Sequence, residues 1–458
     1  MGSPLMLTAL DQYFRCADLS LDGVTTGVLS VDPGFFRFGP NTICYGRSAA
    51  GFLSQRADQP LYDVFDDTSI DGSTVHLPFD LGEIVENLRA ERYISRNSGR
   101  HGTRTQRLVW HAYYSIRPLL PLGVRKYLHR IHLSDWNEIS FPRWPVDSTV
   151  DDLLKTVMAL LLESKGLKEI PFIWFWPNGA DACSIMTHDV EAEPGKQYIS
   201  QLMDMDDSFE IPASFQIVPE KRYTVEQELL DSIKTRGFEV NVQDLDHDGR
   251  LFQDKNEFTR RAQKINRYAR EYDAMGFRSA ILYRNQDWYH LLDFEYDMSV
   301  PNVAHLDPQR GGCCTVMPYF VGDMLELPVT TTQDHSLFHV LNLHSLELWK
   351  QQAEMILNKH GLISFIVHPD YIISERAQKA YKSLLQYLTT LRSERNVWFA
   401  LPGEVNRWWR QRNRMTLTKD GGKWLIEGAG HERARLAFAT LEGDRLIYKL
   451  PEGVCSSV

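Results

Sequence analysis

From Thr149 onward the chain alternates between amphipathic helical runs and short apolar runs, and this alternation limits the possible folds more than any other feature of the 458 residues. DLLKTVMALLLESK (152–165) has apolar residues at helical spacing and stops at Gly166, with Thr149 and Asp152 as a capping-box start. DACSIMTHD (181–189) and ASFQIVP (213–219) read as short buried strands. A helix over TVEQELLDSIKTRG (224–237) follows, then a strand over FEVNVQ (238–243). The next helix, Lys255 to Met275, carries Phe258, Ala262, Ile265, Ala269 and Tyr272 along one face. FRSAILYR (277–284), a helix over 336–359, the strand GLISFIVHP (361–369), a helix over 374–395, the strand NVWFALP and a helix from Gly403 complete the run. Strand and helix in strict alternation call for a parallel sheet covered by helices, with a (β/α) barrel as the best fit and a doubly wound open sheet second.

The flanks have a different texture. The first 150 residues are rich in Gly, Pro and aromatics, as in PGFFRFGPNTICYGRS (33–48), and read as a mixed accessory region. Within it, ERYISRNSGRHGTRTQR (91–107) reads as a solvated connection, with an anion-binding arm as the alternative. HAYYSIRPLLPLGVRKYLHRIHL (111–133) reads as a buried or domain-contact helix, with a membrane-surface segment as the alternative. After Arg414, alternating runs joined by DGG and EGD turns suggest a small antiparallel β module over 413–458. The expected division is 1–150, a barrel over 151–412 with its core at 181–402, and 413–458.

Composition excludes several classes. A net charge of −10 argues against nucleic acid as a partner. The six cysteines form no CxxC pair, so zinc-finger and thioredoxin chemistry are not indicated. No basic start followed by an apolar run opens the chain, and no stretch reaches the ~18 apolar residues of a membrane span. The expectation is a cytoplasmic protein, at most peripheral at the inner membrane face.

In barrels the chemistry sits where strands end. Asp189 and Glu191 follow the first strand of the core, Gln243 and His247 another, Arg278 lies in FRSAILYR, and His368 ends the FIVHP strand. A carboxylate pair with two separate histidines suits metal-assisted hydrolysis. The carboxylates and an imidazole hold an ion or take a proton from water, and the second imidazole protonates the leaving group. Trp174, Trp176, Trp408 and Trp409 fit core packing better than stacking on sugar rings.

THDVE, QDLDHDG, the strand with Arg278, EYDMS and FIVHPD stand in the order and approximate spacing of the polysaccharide deacetylases, and residues 181–402 resemble that family's NodB homology domain. The resemblance implies a distorted TIM-like (β/α) barrel and a divalent metal, zinc or similar. It also implies hydrolysis of an N-acetyl or O-acetyl group on a carbohydrate or lipid-linked glycan. Residue by residue, it implies Asp189 as base, Glu191, Gln243 and His247 as metal ligands, and Arg278 as the partner of the base. It further implies His368 as acid and Asp297 as the carboxylate orienting that acid. Gln243 departs from the pattern, which has histidine there, and an amide is a poor zinc ligand. His188, Asp244 and Asp246 stand nearby as substitute donors. A non-catalytic glycan-binding protein that has lost its metal is the alternative.

Overall fold

The computed structural model describes residues 4–16, 23–94, 135–443 and 445–451. The aromatic segment 111–133 and most of the Arg-rich stretch 91–107 lie outside the described residues.

The N-terminal part comprises α1 (Pro4–Phe14), the short strands β1 (Gly23–Thr25), β2 (Gly34–Arg37), β3 (Ile43–Gly46), β4 (Ser69–Asp71) and β5 (Thr74–Leu77), and α2 (Leu81–Arg89). Just past α2, Glu91 carries a buried polar link to the rest of the chain. Its carboxylate accepts from Arg284 Nε at 2.6 Å and from the Gly312 amide at 2.6 Å, with both side chains of the ion pair buried. Tyr93 Oη donates to Gly312 O at 2.6 Å beside it.

Helix α3 (Thr149–Ser164) begins one residue after Ser148, whose hydroxyl donates to Asp152 at 2.8 Å, so Thr149 is the first helical residue rather than the cap. After β6 (Glu169–Ile173) come β7 (Ala182–Val190), α4 (Glu193–Ser208), β8 (Ala213–Ile217), α5 (Gln227–Thr235), β9 (Glu239–Gln243), α6 (Lys255–Tyr272) and β10 (Gly276–Arg278). Then follow β11 (Tyr296–Asp297), β12 (Tyr319–Val321), β13 (Met324–Glu326), α7 (Glu347–Leu357), β14 (Leu362–Ile366), α8 (Glu375–Glu394), β15 (Val397–Phe399) and α9 (Pro402–Arg414).

These strands form one sheet in the order β12-β13-β11-β10-β9-β8-β7-β14, with β15 also on β7. Every pairing except β12 with β13 is parallel. The sheet curls until its margins meet. Leu327 and Val329 donate to Asp297 O and Val300 O, and two residues later Thr331 N donates to Ser364 O at 3.3 Å. Thr330 Oγ1 donates to Leu362 O at 2.7 Å and accepts from Ser364 N at 2.9 Å.

Period-two alternation sorts the strand residues. Met186, Val190, Phe215, Ile217, Val242, Phe277, Ile363 and Phe365 join the helix-side core, against residues such as Leu202, Ile233, Phe258, Trp349 and Leu384. The alternate positions, including Thr187, Asp189, Gln243 and Arg278, contact one another inside the curl. The α6 face read from sequence is buried throughout.

Two elements differ from their sequence reading. The strand expected over 277–284 ends at Arg278, because Ile281 and Leu282 take φ of 61° and 54°, outside any strand conformation. The helix expected over 336–359 splits into a π-helical turn, Ser336–Val340, and α7.

At the C-terminus β16 (Thr416–Asp420) pairs with β17 (Lys423–Glu427), and β18 (Leu436–Glu442) pairs with β19 (Arg445–Lys449). The second hairpin does not stand alone, because β18 also pairs antiparallel with β6, far back in the chain. Trp174, Trp176, Trp408 and Trp409 are buried, and the first three donate their indole N–H groups to backbone carbonyls. No helix among the described residues is long and apolar enough to cross a membrane.

Candidate active site

The site forms where the strands end. Asp189 is the penultimate residue of β7, Gln243 and Arg278 end β9 and β10, and His368 lies two residues past β14. Gln243 and Arg278 are register partners, so their side chains leave the sheet side by side. Gln243 Nε2 donates to Asp189 Oδ2 at 3.2 Å, and Arg278 Nη1 lies 3.9 Å from the same oxygen. Arg278 is fully buried and is fixed by a 3.0 Å donation from Nη2 to Thr187 Oγ1. Burial raises the Asp189 pKa, while Arg278 and His368 pull it down. The net result is a carboxyl above the ordinary aspartate value.

Glu191 lies between two imidazoles. Its Oε1 is 2.8 Å from His247 Nε2 and 3.4 Å from His368 Nε2, and its Oε2 accepts from Tyr371 Oη at 3.3 Å. Burial opposes the charge, yet the two histidines hold Glu191 well below the usual carboxylate range. The backbone here is fixed from both sides. Arg222 Nε donates to Glu191 O at 2.7 Å, and Asp370 accepts from the amides of Glu191 and Gly195. Gly195 is required for that approach, since a Cβ there would sit 2.3 Å from Asp370 Oδ2. His247 reaches Glu191 from a left-handed backbone, at φ 53°.

His368 is held by Asp334. Its Nδ1 lies 2.6 Å from Asp334 Oδ1, and its amide donates to Asp334 Oδ2 at 2.8 Å. Burial disfavours the imidazolium, but Asp334 and Glu191 together hold its pKa well above the ordinary histidine value. Asp297, expected in this role, lies elsewhere. It is in register with Phe277 and Glu326, and Phe277 belongs to the helix-side core, so strand alternation turns Asp297 away from His368. It accepts instead from Ser299 N at 2.9 Å and Ser299 Oγ at 2.7 Å. Asp334 sits in TTTQDH, three residues after Thr331 meets β14 at Ser364, and nothing in the sequence marks that irregular stretch as ending at the sheet.

The expected metal trio contains two strong donors, Glu191 and His247, and the amide of Gln243. Among the described residues no group of three or more His, Cys, Asp or Glu side chains is assembled to hold an ion. Gln243 Oε1 and Asp189 Oδ1 are buried without a hydrogen-bond partner in the protein, an arrangement that a cation would satisfy. Carboxylate, amide oxygen and a single imidazole fit an oxygen-preferring divalent ion better than zinc. Of the three substitute donors, His188 and Asp246 are committed elsewhere, whereas Asp244 keeps Oδ2 buried without a hydrogen-bond partner. His188 faces outward to Val367 O and Asp206, Asp246 is paired with Arg261 and Lys221, and Asp244 accepts from its neighbour's amide.

No protein-family model matches the chain, and no curated protein sequence matches it. Solved structures do resemble it. Deacetylases recur among them. A Mycobacterium smegmatis protein assigned provisionally as a polysaccharide deacetylase is 19% identical, with a TM-score of 0.43, over 52% of this chain and 93% of that one. The peptidoglycan deacetylase PdaC of Bacillus subtilis is 12% identical, with a TM-score of 0.33, over 51% and 94%. PuuE allantoinase is 12% identical, with a TM-score of 0.40, over 51% and 92%. At these identities and TM-scores the likeness assigns no activity to this chain.

Proposed function

We propose that the chain is a hydrolase that removes an acyl group, an N-acetyl or O-acetyl, from a carbohydrate, free or lipid-linked. The observation that carries this reading is the pairing of a base and an acid at one strand edge, each fixed by its own partner. Asp189 is set by Gln243 and Arg278, and His368 by Asp334. The ordered motifs of the sequence supply the carbohydrate as the substrate class.

In the reaction, Asp189 accepts a proton as water adds to the acyl carbonyl carbon, giving a tetrahedral oxyanion. The bond to the sugar nitrogen or oxygen then breaks, and His368 Nε2 gives its proton to the leaving atom. Acetate and the free amine or hydroxyl are the products. Glu191, 3.4 Å from Nε2, keeps His368 charged until the substrate arrives. A divalent ion bound by Glu191, His247 and the Gln243 amide oxygen would acidify water and polarise the carbonyl.

The test is acetate release from a panel of N- and O-acetylated sugars by the wild type and Asp189→Asn. The isosteric amide keeps the fold and cannot accept the proton, so turnover should fall by ~10²-fold or more. Normal turnover in the variant removes Asp189 as base. Gln243 favours a second reading, a glycan-binding protein without turnover. Sugar binding by both proteins with no acetate from either would select it.

A further inference from the structure

At the opposite end of the sheet, a cavity of about 380 Å³ opens between α9 and the N-terminal ends of β10 and β11. Arg407, Arg410 and Arg414 line it at positions i, i+3 and i+7, one face of the helix. Met275 and Glu295, which precede β10 and β11, form the facing wall. Among the residues lining it, three arginines stand with one carboxylate, Glu295, while Glu239 lies at the Gly403 rim and Asp323 near Arg410, in a chain whose net charge is −10.

The guanidinium of Arg410 is oriented in advance. Its Nε donates to Asn406 Oδ1 at 2.8 Å, and its Nη2 donates to Asp323 O at 2.8 Å and to Glu295 O. These acceptors are neutral oxygens, although the carboxylates of Glu295 and Asp323 also act on the Arg410 charge. The nearest carboxylate, Glu295, is itself engaged by Asn406 Nδ2 at 2.6 Å. Arg407 and Arg414 are exposed and form no ion pair among the described residues. The same helix shows what a structural arginine looks like. Arg412, on the other face, is fully buried, and its Nη2 donates to Tyr13 O, Phe14 O and Ile173 O. A favourable helix dipole accounts for a basic residue in the last turn, such as Arg414, but not for Arg407 near the middle.

We propose that this groove binds an oxyanion of the phosphate class carried on a small molecule. The guanidinium forks of Arg407 and Arg414 match phosphate oxygens in pairs, Arg410 adds a single donor atom, Nη1, and the partly exposed Met275 gives the body of the ligand an apolar wall. The groove is separate from the hydrolytic site. Gly403, on its rim, donates its amide to Glu239 Oε2 at 2.9 Å. Glu239 begins β9 and Gln243 ends it, a strand length of roughly 13 Å away.

The experiment is calorimetric titration of the whole chain with inorganic phosphate and with a hexose phosphate, against chloride at matched ionic strength. The second protein is the double variant Arg407→Gln, Arg414→Gln, whose side chains are exposed and whose fold is checked by circular dichroism. Saturable binding by the wild type, weakened at least tenfold in the double variant, supports the proposal. Tighter binding of the hexose phosphate places the ligand's body against Met275, and equal affinities identify a free-phosphate site. Equal binding by both proteins, or no heat beyond the chloride control, overturns it. Neither result depends on acyl hydrolysis.

Discussion

Replacing Asp334 by asparagine isolates the contact that makes His368 an acid. The isosteric amide keeps an oxygen near Nδ1 but removes the charge 2.6 Å from it. A hydrogen bond to a charged group contributes about 1.5–3 kcal/mol. At about 1.4 kcal/mol per pH unit, the His368 pKa should fall by about one to two units. The sign follows from the role. His368 must be protonated to act, so activity is lost as pH rises through its pKa, and a lower pKa moves that alkaline limb to lower pH. The acid limb, set by ionisation of Asp189, should stay nearly in place. A positioned acid contributes ~10²–10⁴ in rate, and the variant should retain only part of this, losing roughly 10–100-fold in kcat. Two assays check it: the pH profile of acetate release, and NMR titration of the His368 ring, which needs no substrate. Asp297→Asn is the control and should leave the ring titration unchanged. An unshifted His368 in Asp334→Asn, or a shifted one in Asp297→Asn, would refute the assignment of Asp334.

Three further outcomes follow from the same geometry. Gln243→His should tighten zinc binding at least tenfold in a chelator competition, whereas unchanged affinity would mean that position 243 does not face the ion. Burial raises the Asp151 pKa from 3.8 to about 6. The folded state therefore binds this proton more tightly, and its contribution is present below about pH 4 and lost as pH rises through 6, up to roughly 3 kcal/mol. Asp151→Asn should remove that slope between pH 4 and 6 in urea denaturation, and an unchanged slope would clear Asp151 of the effect. Glu91→Gln leaves Arg284 buried without its counter-charge, and urea unfolding should show a loss of about 3–5 kcal/mol. A loss under 1 kcal/mol would mean that the N-terminal region is not anchored by this pair.

Much of the site was legible before any tertiary contact was known. Asp189, Gln243 and His368 could be placed at strand ends because each closes an apolar run of strand length, whereas Arg278 falls near the start of the strand expected over 277–284 and only the structure ends β10 there. Glu191 and His247 could be placed in the turns after β7 and β9, and they meet at 2.8 Å. The partner of His368 could not be found this way. Asp297 is indicated only by the EYDMS motif of the family resemblance, and the sequence carries no sign of which way its side chain turns. Only pairing with β10 and β13 puts Asp297 in register with Phe277 and Glu326, facing the helices. Asp334 lies 34 residues before His368, in a polar stretch with no periodicity.

The same division holds for the whole chain. Local pattern determined most of the long helices and buried strands, which helix faces are buried and that Asp189, Gln243 and His368 stand at strand ends, because these depend on spacings of a few residues. Tertiary structure decided the pairing of β6 with β18, the tie between Thr331 and Ser364, the choice of Asp334 over Asp297, and the arginine groove beside Met275. Each depends on the register between segments far apart in sequence, and a shift of one residue there turns every side chain of a strand to its other face.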